Sequence, residues 1–356
     1  MKNLYLQIPF NEPGISELVL ATLIKSAGST PQKPGTSVLF SRKGLAAGTI
    51  GGGILEARIQ EKAISIADSG RPLITNFHLD SRAEEGEDAW CGGKVTVLID
   101  PCLEIHREVF KKVKESLDQG IPGLLVTLVT HISESEVQIM RYWFSENDKK
   151  GIPDDLYEDI REEIKKITES SDPFAFRFVE KPTVAGRESE QIILLEPLRP
   201  LPDLVIAGAG HIGKVMAHLG KLLDFNVTVI DDRYEYANKA NLPDADRIIV
   251  ADIPEALSGI RKTRDTYIVI VTRGHKDDAA ALRSCIHDEV AYIGMIGSKN
   301  KIALMRSEFI KNGWATGGQW DRIHAPIGLP INSRTVEEIA ISIAAQLVEV
   351  RNRKAN

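Results

Sequence analysis

The first half of the chain alternates short apolar runs with turn-forming residues. Residues 18–25 read as a β-strand, and a Gly- and Pro-rich loop over 28–35 follows. Two short strands come next at 36–40 and 45–50, around the turn Ser41-Arg42-Lys43-Gly44. Directly after Gly51-Gly52-Gly53, the residues Leu55, Ile59, Ala63 and Ile66 recur at helical spacing, with Glu56, Arg58, Gln60, Glu61 and Lys62 mostly on other faces. That pattern predicts an amphipathic helix. An acidic loop at 80–88 leads through Trp90-Cys91-Gly92-Gly93 to a strand at 95–99 and a helix at 105–118. Strands at 123–131 and 137–144 follow, then a charge-dense, solvent-exposed helix within 146–172, then strands at 174–179 and 191–195.

Three prolines within 197–202 favour an extended backbone and read as a linker. Beyond it the rhythm changes. Short β-branched runs at 203–207, 227–230, 247–250, 267–271 and 291–295 are separated by helical stretches, and a helix rich in Ala, Ile and Leu occupies 336–351. Strand–helix alternation of this kind builds a parallel sheet covered on both faces. The expected fold class is therefore α/β: an α+β N-terminal domain with mixed strands at 1–197, and a C-terminal Rossmann-like, doubly wound parallel sheet at 203–356.

The sharpest signal is Gly208-Ala209-Gly210-His211-Ile212-Gly213, which follows one apolar run and opens a helix, with Asp231 ending the next run 23 positions after Gly208. This is the dinucleotide fingerprint with its acidic residue about 20 positions on. Gly208 would make the tight turn, Gly210 the close approach of a pyrophosphate, and Gly213 the helix–strand packing. Asp231 would accept from a ribose hydroxyl; the nearby Arg233 would suit a 2′-phosphate, which Asp231 would repel. Further loops at the carboxyl ends of the runs, Thr272-Arg273-Gly274-His275 and Gly294-Met295-Ile296-Gly297-Ser298-Lys299, add Arg273, Ser298 and Lys299 as phosphate-binding candidates and His275 as an acid or base. In the first half, Gly51, Gly52 and Gly53 expose backbone N–H groups at a helix start, suited to a phosphate or a flat heterocycle. Glu56 lies in the first helical turn, where it also suits the helix dipole. Cys91 is a candidate reactive thiol.

The composition is ordinary for a globular chain. A chain of 356 residues with 43% hydrophobic and 26% charged content has material for two cores. A net charge of −6 argues against a general nucleic-acid binder. The three cysteines, Cys91, Cys102 and Cys285, form neither a disulfide framework nor a zinc pattern. With no signal-type start and no apolar stretch of the ~18 residues a membrane span needs, a cytoplasmic protein is expected.

Taken together, these blocks resemble the XdhC/CoxI family, accessory factors of molybdenum hydroxylases such as xanthine dehydrogenase. The carriers are Gly28-Ser29-Thr30-Pro31 with Pro34-Gly35, Gly48-Thr49-Ile50-Gly51-Gly52-Gly53 with Glu56, and Cys91-Gly92-Gly93. In the second half they are the Gly208 loop, Ile230-Asp231-Asp232-Arg233, Thr272-Arg273-Gly274-His275 with Asp278, Tyr292-Ile293-Gly294-Met295-Ile296-Gly297-Ser298, Pro326-Ile327-Gly328-Leu329 and Glu337-Glu338-Ile339-Ala340. The resemblance implies a homodimeric chaperone that binds molybdenum cofactor (molybdopterin) transiently, supports its sulfuration with a cysteine desulfurase, and inserts it into the hydroxylase. It implies no hydroxylase activity in this chain, which lacks the cysteine patterns of iron–sulfur clusters. Two departures stand out: Ile54 where the family usually has cysteine, and Val336 where it tends to have proline.

Two other readings stay open: an NAD(P)-dependent oxidoreductase using the Gly208 loop and His275, and a scaffold that bridges partners without a small molecule. No catalytic residue is firm; Cys91, Glu56 and His275 are the candidates. No metal ligand set is expected from side chains.

Overall fold

The computed structural model describes residues 4–8, 14–79, 93–132, 136–145, 151–169, 176–181 and 191–353. They fall into two compact units, Met1–Pro200 and Leu201–Asn356.

In the first unit, β1 (Val19–Ala27), β2 (Ser37–Ser41), β3 (Gly44–Gly48), α1 (Gly53–Ile66), β4 (Leu73–His78) and β5 (Lys94–Asp100) come first. Then follow α2 (Arg107–Asp118), β6 (Gly123–His131), β7 (Val137–Ser145), α3 (Asp154–Glu169), β8 (Arg177–Lys181) and β9 (Gln191–Leu198). They build two sheets, ordered β3-β2-β1-β5-β4 and β7-β6-β9-β8. Every pairing described in both is antiparallel. The two-residue period of a strand sorts side chains between layers. In β1, Val19, Ala21 and Leu23 pack with Leu55, Ile59, Ala63 and Ile66 of α1, the four residues whose spacing predicts that helix. Ile24 and Leu98 face Val129, Ile139, Ile192 and Leu194 of the other sheet. The outer face of that second sheet, through Leu124, Val126, Ile193 and Leu195, receives Leu156, Ile160 and Ile167 of α3. The charge-dense helix expected to be solvent-exposed is thus amphipathic and covers a core.

The layers run α1, first sheet, second sheet, α3. Strand β4 is not predicted by the sequence pattern: Thr75 and Asn76 interrupt its apolar run, and it sits at a sheet edge. The proline-rich stretch also begins as strand, since Pro197 and Leu198 still pair with Leu124 and Gly123.

Five titratable side chains are buried where the two sheets meet. Arg141 of β7 forms an ion pair with Asp100 at the end of β5, at 3% and 1% side-chain exposure. Tyr5 donates to both oxygens of Glu196 on β9, at 2.9 and 3.0 Å. His106, just before α2, is buried beside them. Burial pushes the Glu196 carboxyl up to about 7, against the Tyr5 hydrogen bond and the Arg141 charge. Burial and then Arg141 push His106 down to about 4, against Asp100 and a hydrogen bond with the Ile139 backbone.

An unfolded chain sheds the Glu196 proton near 4.5 and the folded chain near 7, so this group withdraws stability as pH rises between those values. His106 acts oppositely: its contribution is complete above 6.5 and is lost as pH falls towards 4. The two slopes oppose each other. Glu196→Gln is expected to make stability rise more steeply with pH than in the parent, and His106→Gln less steeply. The limit for each is about 1.4 kcal/mol per pH unit. Urea unfolding across this range reads the difference; identical slopes in all three proteins would contradict it.

The second unit contains β10 (Asp203–Ala207), α4 (His211–Leu222), β11 (Asn226–Asp231), β12 (Arg247–Val250), α5 (Ile253–Gly259), β13 (Thr266–Ile270), α6 (His275–Arg283), β14 (Tyr292–Met295), α7 (Lys299–Lys311), α8 (Gly317–Asp321) and α9 (Val336–Asn352). Its sheet is parallel and ordered β12-β11-β10-β13-β14. Leu204, Ile206, Val227 and Val229 pack beneath Met216 of α4 and Ile343 and Leu347 of α9. Val205, Ala207, Ile268 and Ile270 pack against Leu257 of α5, Leu282 of α6 and Phe309 of α7. Helices cover both faces, as in a doubly wound Rossmann fold. Val336 is the first residue of α9, a position where proline is tolerated but not needed. Among the described residues no helix is long and apolar enough to cross a membrane.

Candidate functional site

The strand order reverses between β10 and β13, and the loops after these strands meet at the carboxyl edge of the sheet, where open α/β sheets bind ligands. Gly208 has φ +117°, and a Cβ there would lie 2.4 Å from the Val271 carbonyl oxygen. A Cβ on Gly213 would lie 1.8 Å from the Gly208 oxygen, so α4 packs directly on the turn. Gly210 has nothing within 4 Å of that position and caps α4 without a side-chain hydrogen bond. Of the three glycines, Gly210 is the one with open space in front.

The polar groups of this edge are largely engaged with one another. Asp231 is buried, and both of its oxygens accept from the protein: Oδ2 from Ala209 N–H at 2.7 Å and Arg233 Nη2 at 2.9 Å, Oδ1 from Arg233 N–H and Nε at 3.0 and 2.9 Å. Burial raises this carboxyl, but the Arg233 side chain and the two backbone N–H groups outweigh burial and hold it at about 2. Arg273 donates to Asp277 and to Asp232, each at 3.1 Å, and so reaches from the loop after β13 to the loop after β11. Thr272 donates through its hydroxyl (2.6 Å) and N–H (3.2 Å) to buried Asp278. Burial pushes Asp278 up to about 6, against those bonds. His275 is the first residue of α6. Ser298 caps α7 by accepting from Lys301 N–H, and Lys299 beside it is exposed.

The first unit brings its glycine-rich blocks together. Gly51, Gly52 and Gly53 all have positive φ, at +117°, +70° and +62°. A Cβ on Gly51 would lie 2.7 Å from Pro31, and one on Gly93 would lie 2.3 Å from the Ser29 oxygen, so both press on the loop over residues 28–35. Gly52 and Gly53 have nothing within 4 Å. Glu56, in the first turn of α1, closes this loop from within. Its Oε2 accepts from the Thr49 hydroxyl at 2.7 Å, from Ile50 N–H at 3.0 Å and from Gly52 N–H at 3.4 Å. The carboxylate thereby occupies amides that the sequence offers to a phosphate. Ile54 is 41% exposed beside the open glycines.

The acidic loop at 80–88 and Cys91 lie outside the described residues. Cys102 donates to the Gly70 carbonyl at 3.0 Å, and burial and then Asp100 raise its thiol. Burial pushes Cys285 up to about 12. Neither thiol has the low pKa of a reactive cysteine. Among the described residues no group of three or more His, Cys, Asp or Glu is placed to hold a metal.

Sequence reasoning did not single out a cleft of about 630 Å³ that opens between the two sheets of the first unit, with Lys25, Asn76, Lys94, Phe176 and Phe178 on its walls. These residues come together only through pairing: Lys25 with Thr96, Ala27 with Lys94, and Asn76 with Thr96. The one local signal is the shift from apolar to polar residues late in β1. Pro34 lines the cleft and Pro31 meets Gly51, so the loop over residues 28–35 borders both cleft and glycine cluster.

Comparison with known proteins places these features. The XdhC Rossmann domain model matches residues 204–347, and the XdhC and CoxI family model matches residues 16–78. A Bacillus subtilis protein described as a probable xanthine dehydrogenase subunit is 26% identical over 346 residues, covering 95% of this chain and 94% of that protein. The uncharacterized Escherichia coli protein YqeB is 31% identical over 152 residues, 42% of this chain and 28% of that protein. A crystal structure described as a xanthine dehydrogenase from Bacillus halodurans aligns over 99% of this chain and 97% of that one, with TM-score 0.78 and 25% identity.

Proposed function

The chain belongs to the XdhC and CoxI family, and from that premise we propose that it is an accessory protein of a molybdenum hydroxylase of the xanthine dehydrogenase type. In this reading it binds molybdenum cofactor, supports its sulfuration and passes it to the apo-enzyme. The observation that carries the reading is the open face of Gly52 and Gly53, held at positive φ beside two further glycine-rich blocks. A missing Cβ at both positions leaves room for a flat ring against the backbone, so the residues present fit a pterin. Gly52 and Gly53 would take the ring, and Glu56 would keep the loop in shape by holding the Ile50 and Gly52 amides. The bound group would supply the molybdenum centre that the client enzyme uses in oxygen transfer. Sulfur chemistry on a described cysteine is disfavoured, because burial raises the Cys285 thiol, and burial and then Asp100 raise the Cys102 thiol. A cysteine desulfurase as sulfur source, a homodimeric assembly and Cys91 as the thiol that handles sulfur all belong to this proposal.

The oxidoreductase reading asks more of the molecule. Asp231 would have to leave Ala209 or Arg233 to accept from a ribose, which makes NAD(P) the weaker fit.

Gly52→Asp tests the location. Gly52 has φ +70° and ψ −174°, a conformation nearly confined to glycine, so any replacement is strained. Gly52→Ala therefore serves as the control for strain. The aspartate variant is expected to lose at least about tenfold more retained pterin than the alanine variant, because it puts a larger, charged side chain into the open space that the ring would fill. Retention is read by fluorescence of pterin released after anaerobic purification. Equal retention in parent and Gly52→Asp would remove the site from this loop.

A further inference from the structure

In the glycine cluster, a phosphate would meet the Glu56 carboxylate already seated on the Ile50 and Gly52 amides. A phosphorylated ring handled by the first unit needs its anion seat elsewhere, and the cleft between the sheets offers one. Its floor is the inner face of β1, β5 and β4. Deeper in the sandwich that face is core, with Ile24 and Leu98 buried at 2%. Towards the open end the same face carries Lys25, Thr96, Asn76 and Lys94. A bulge makes this possible: pairing shifts between Leu23 and Lys25, so Leu23 stays opposite Val97 while Lys25 moves opposite Thr96. Without that shift, alternation would point Lys25 towards α1. Bulges re-aim side chains in this way next to binding sites.

The opposite wall is aromatic. Phe176 and Phe178 are half-buried, with Lys25 Nζ 4.2 Å above the Phe178 ring and paired with Glu180. Lys94 is exposed and has no ion-pair partner among the described residues, and His78 is its cross-strand neighbour. Asn76 accepts from the Thr96 hydroxyl at 2.7 Å, which leaves its amide N–H groups for a ring acceptor. A volume of about 630 Å³ holds a two-ring heterocycle with a phosphate.

We propose that this cleft binds a flat heteroaromatic ring that carries a phosphate, with the ring against Phe176 and Phe178 and the phosphate on Lys94. The inference rests on the reading that the protein handles a phosphorylated pterin; it seats ring and phosphate together in the cleft, as a second seat separate from the ring position at Gly52 and Gly53. Ring and phosphate are shared by pterin phosphates and purine nucleotides, so both belong in the test.

The experiment titrates the full-length chain with a pterin monophosphate, the unphosphorylated pterin and GMP, followed by pterin fluorescence and by calorimetry. Lys94→Gln is expected to weaken the pterin monophosphate about tenfold and leave the unphosphorylated pterin within about twofold, as loss of one charge-assisted contact predicts. Phe178→Leu keeps apolar bulk and should weaken both pterins. Unchanged pterin monophosphate affinity in Lys94→Gln, or no binding by the parent, would overturn the proposal. Tighter, Lys94-dependent binding of GMP would support the cleft and assign it to nucleotides. The two readings fail separately. If Lys94→Gln binds pterin monophosphate as tightly as the parent while Gly52→Asp loses molybdenum cofactor, the cleft is wrong and the accessory reading stands. If the cleft binds pterin monophosphate but the chain retains no molybdenum cofactor, the cleft stands and the accessory reading falls.

Discussion

Arg141→Leu is expected to cost the first unit about 3–5 kcal/mol, because it strips a buried carboxylate of its counter-charge. Asp100 is 1% exposed, with one oxygen on Cys102 N–H and the other on Arg141. Removing the guanidinium also removes the positive charge that opposes the rise of Glu196. Hydrogen exchange of the β5 and β7 amides in increasing urea reads this unit separately from the other. The double variant Asp100→Leu/Arg141→Leu removes both charges and should recover most of the loss, since an apolar pair of similar volume often replaces a buried ion pair at little cost. A single-variant loss below about 1 kcal/mol would contradict the ion pair as drawn.

The second large effect lies at the glycine turn of the other unit. Gly213→Ala would put a methyl group 1.8 Å from the Gly208 carbonyl oxygen, a backbone atom that cannot swing aside. The helix must move off the turn, at the upper end of the about 1–3 kcal/mol of overpacking or beyond it. Gly210→Ala is the contrast: its φ of −68° suits alanine and nothing lies within 4 Å. It should fold within about 0.5 kcal/mol of the parent. Thermal unfolding of the two variants reads the difference, and equal loss in both would mean that the glycines do not divide the work this way.

The parts of the molecule carried by local pattern were legible in the sequence. The Gly208 loop, the Leu55–Ile59–Ala63–Ile66 stripe and the β-branched runs of the second unit each encode their element within a dozen residues. Features that depend on distant pairing were not. Arg141 sits in a strand whose alternation is ordinary, and only the arrival of Asp100 from β5 makes it a buried charge. The cleft is hidden for the same reason, since Lys25, Asn76, Lys94 and Phe178 come from four separate strands. At the candidate sites the residue types are polar and well placed, as their pattern predicts, but their partners are not written in it. Glu56 and Asp231 both turn inward onto backbone N–H groups that the sequence alone offers to a ligand. A short acidic residue near a glycine turn satisfies orphan amides as readily as a phosphate does.

We propose that this chain holds a molybdenum-bearing pterin for another enzyme. The direct measurement is anaerobic purification of the unaltered chain from cells that make the cofactor, followed by denaturation and mass spectrometry of the released small molecules. The expected release is a phosphorylated pterin together with molybdenum, both reduced in Gly52→Asp. Stoichiometric NAD(P) with no pterin or molybdenum would contradict it.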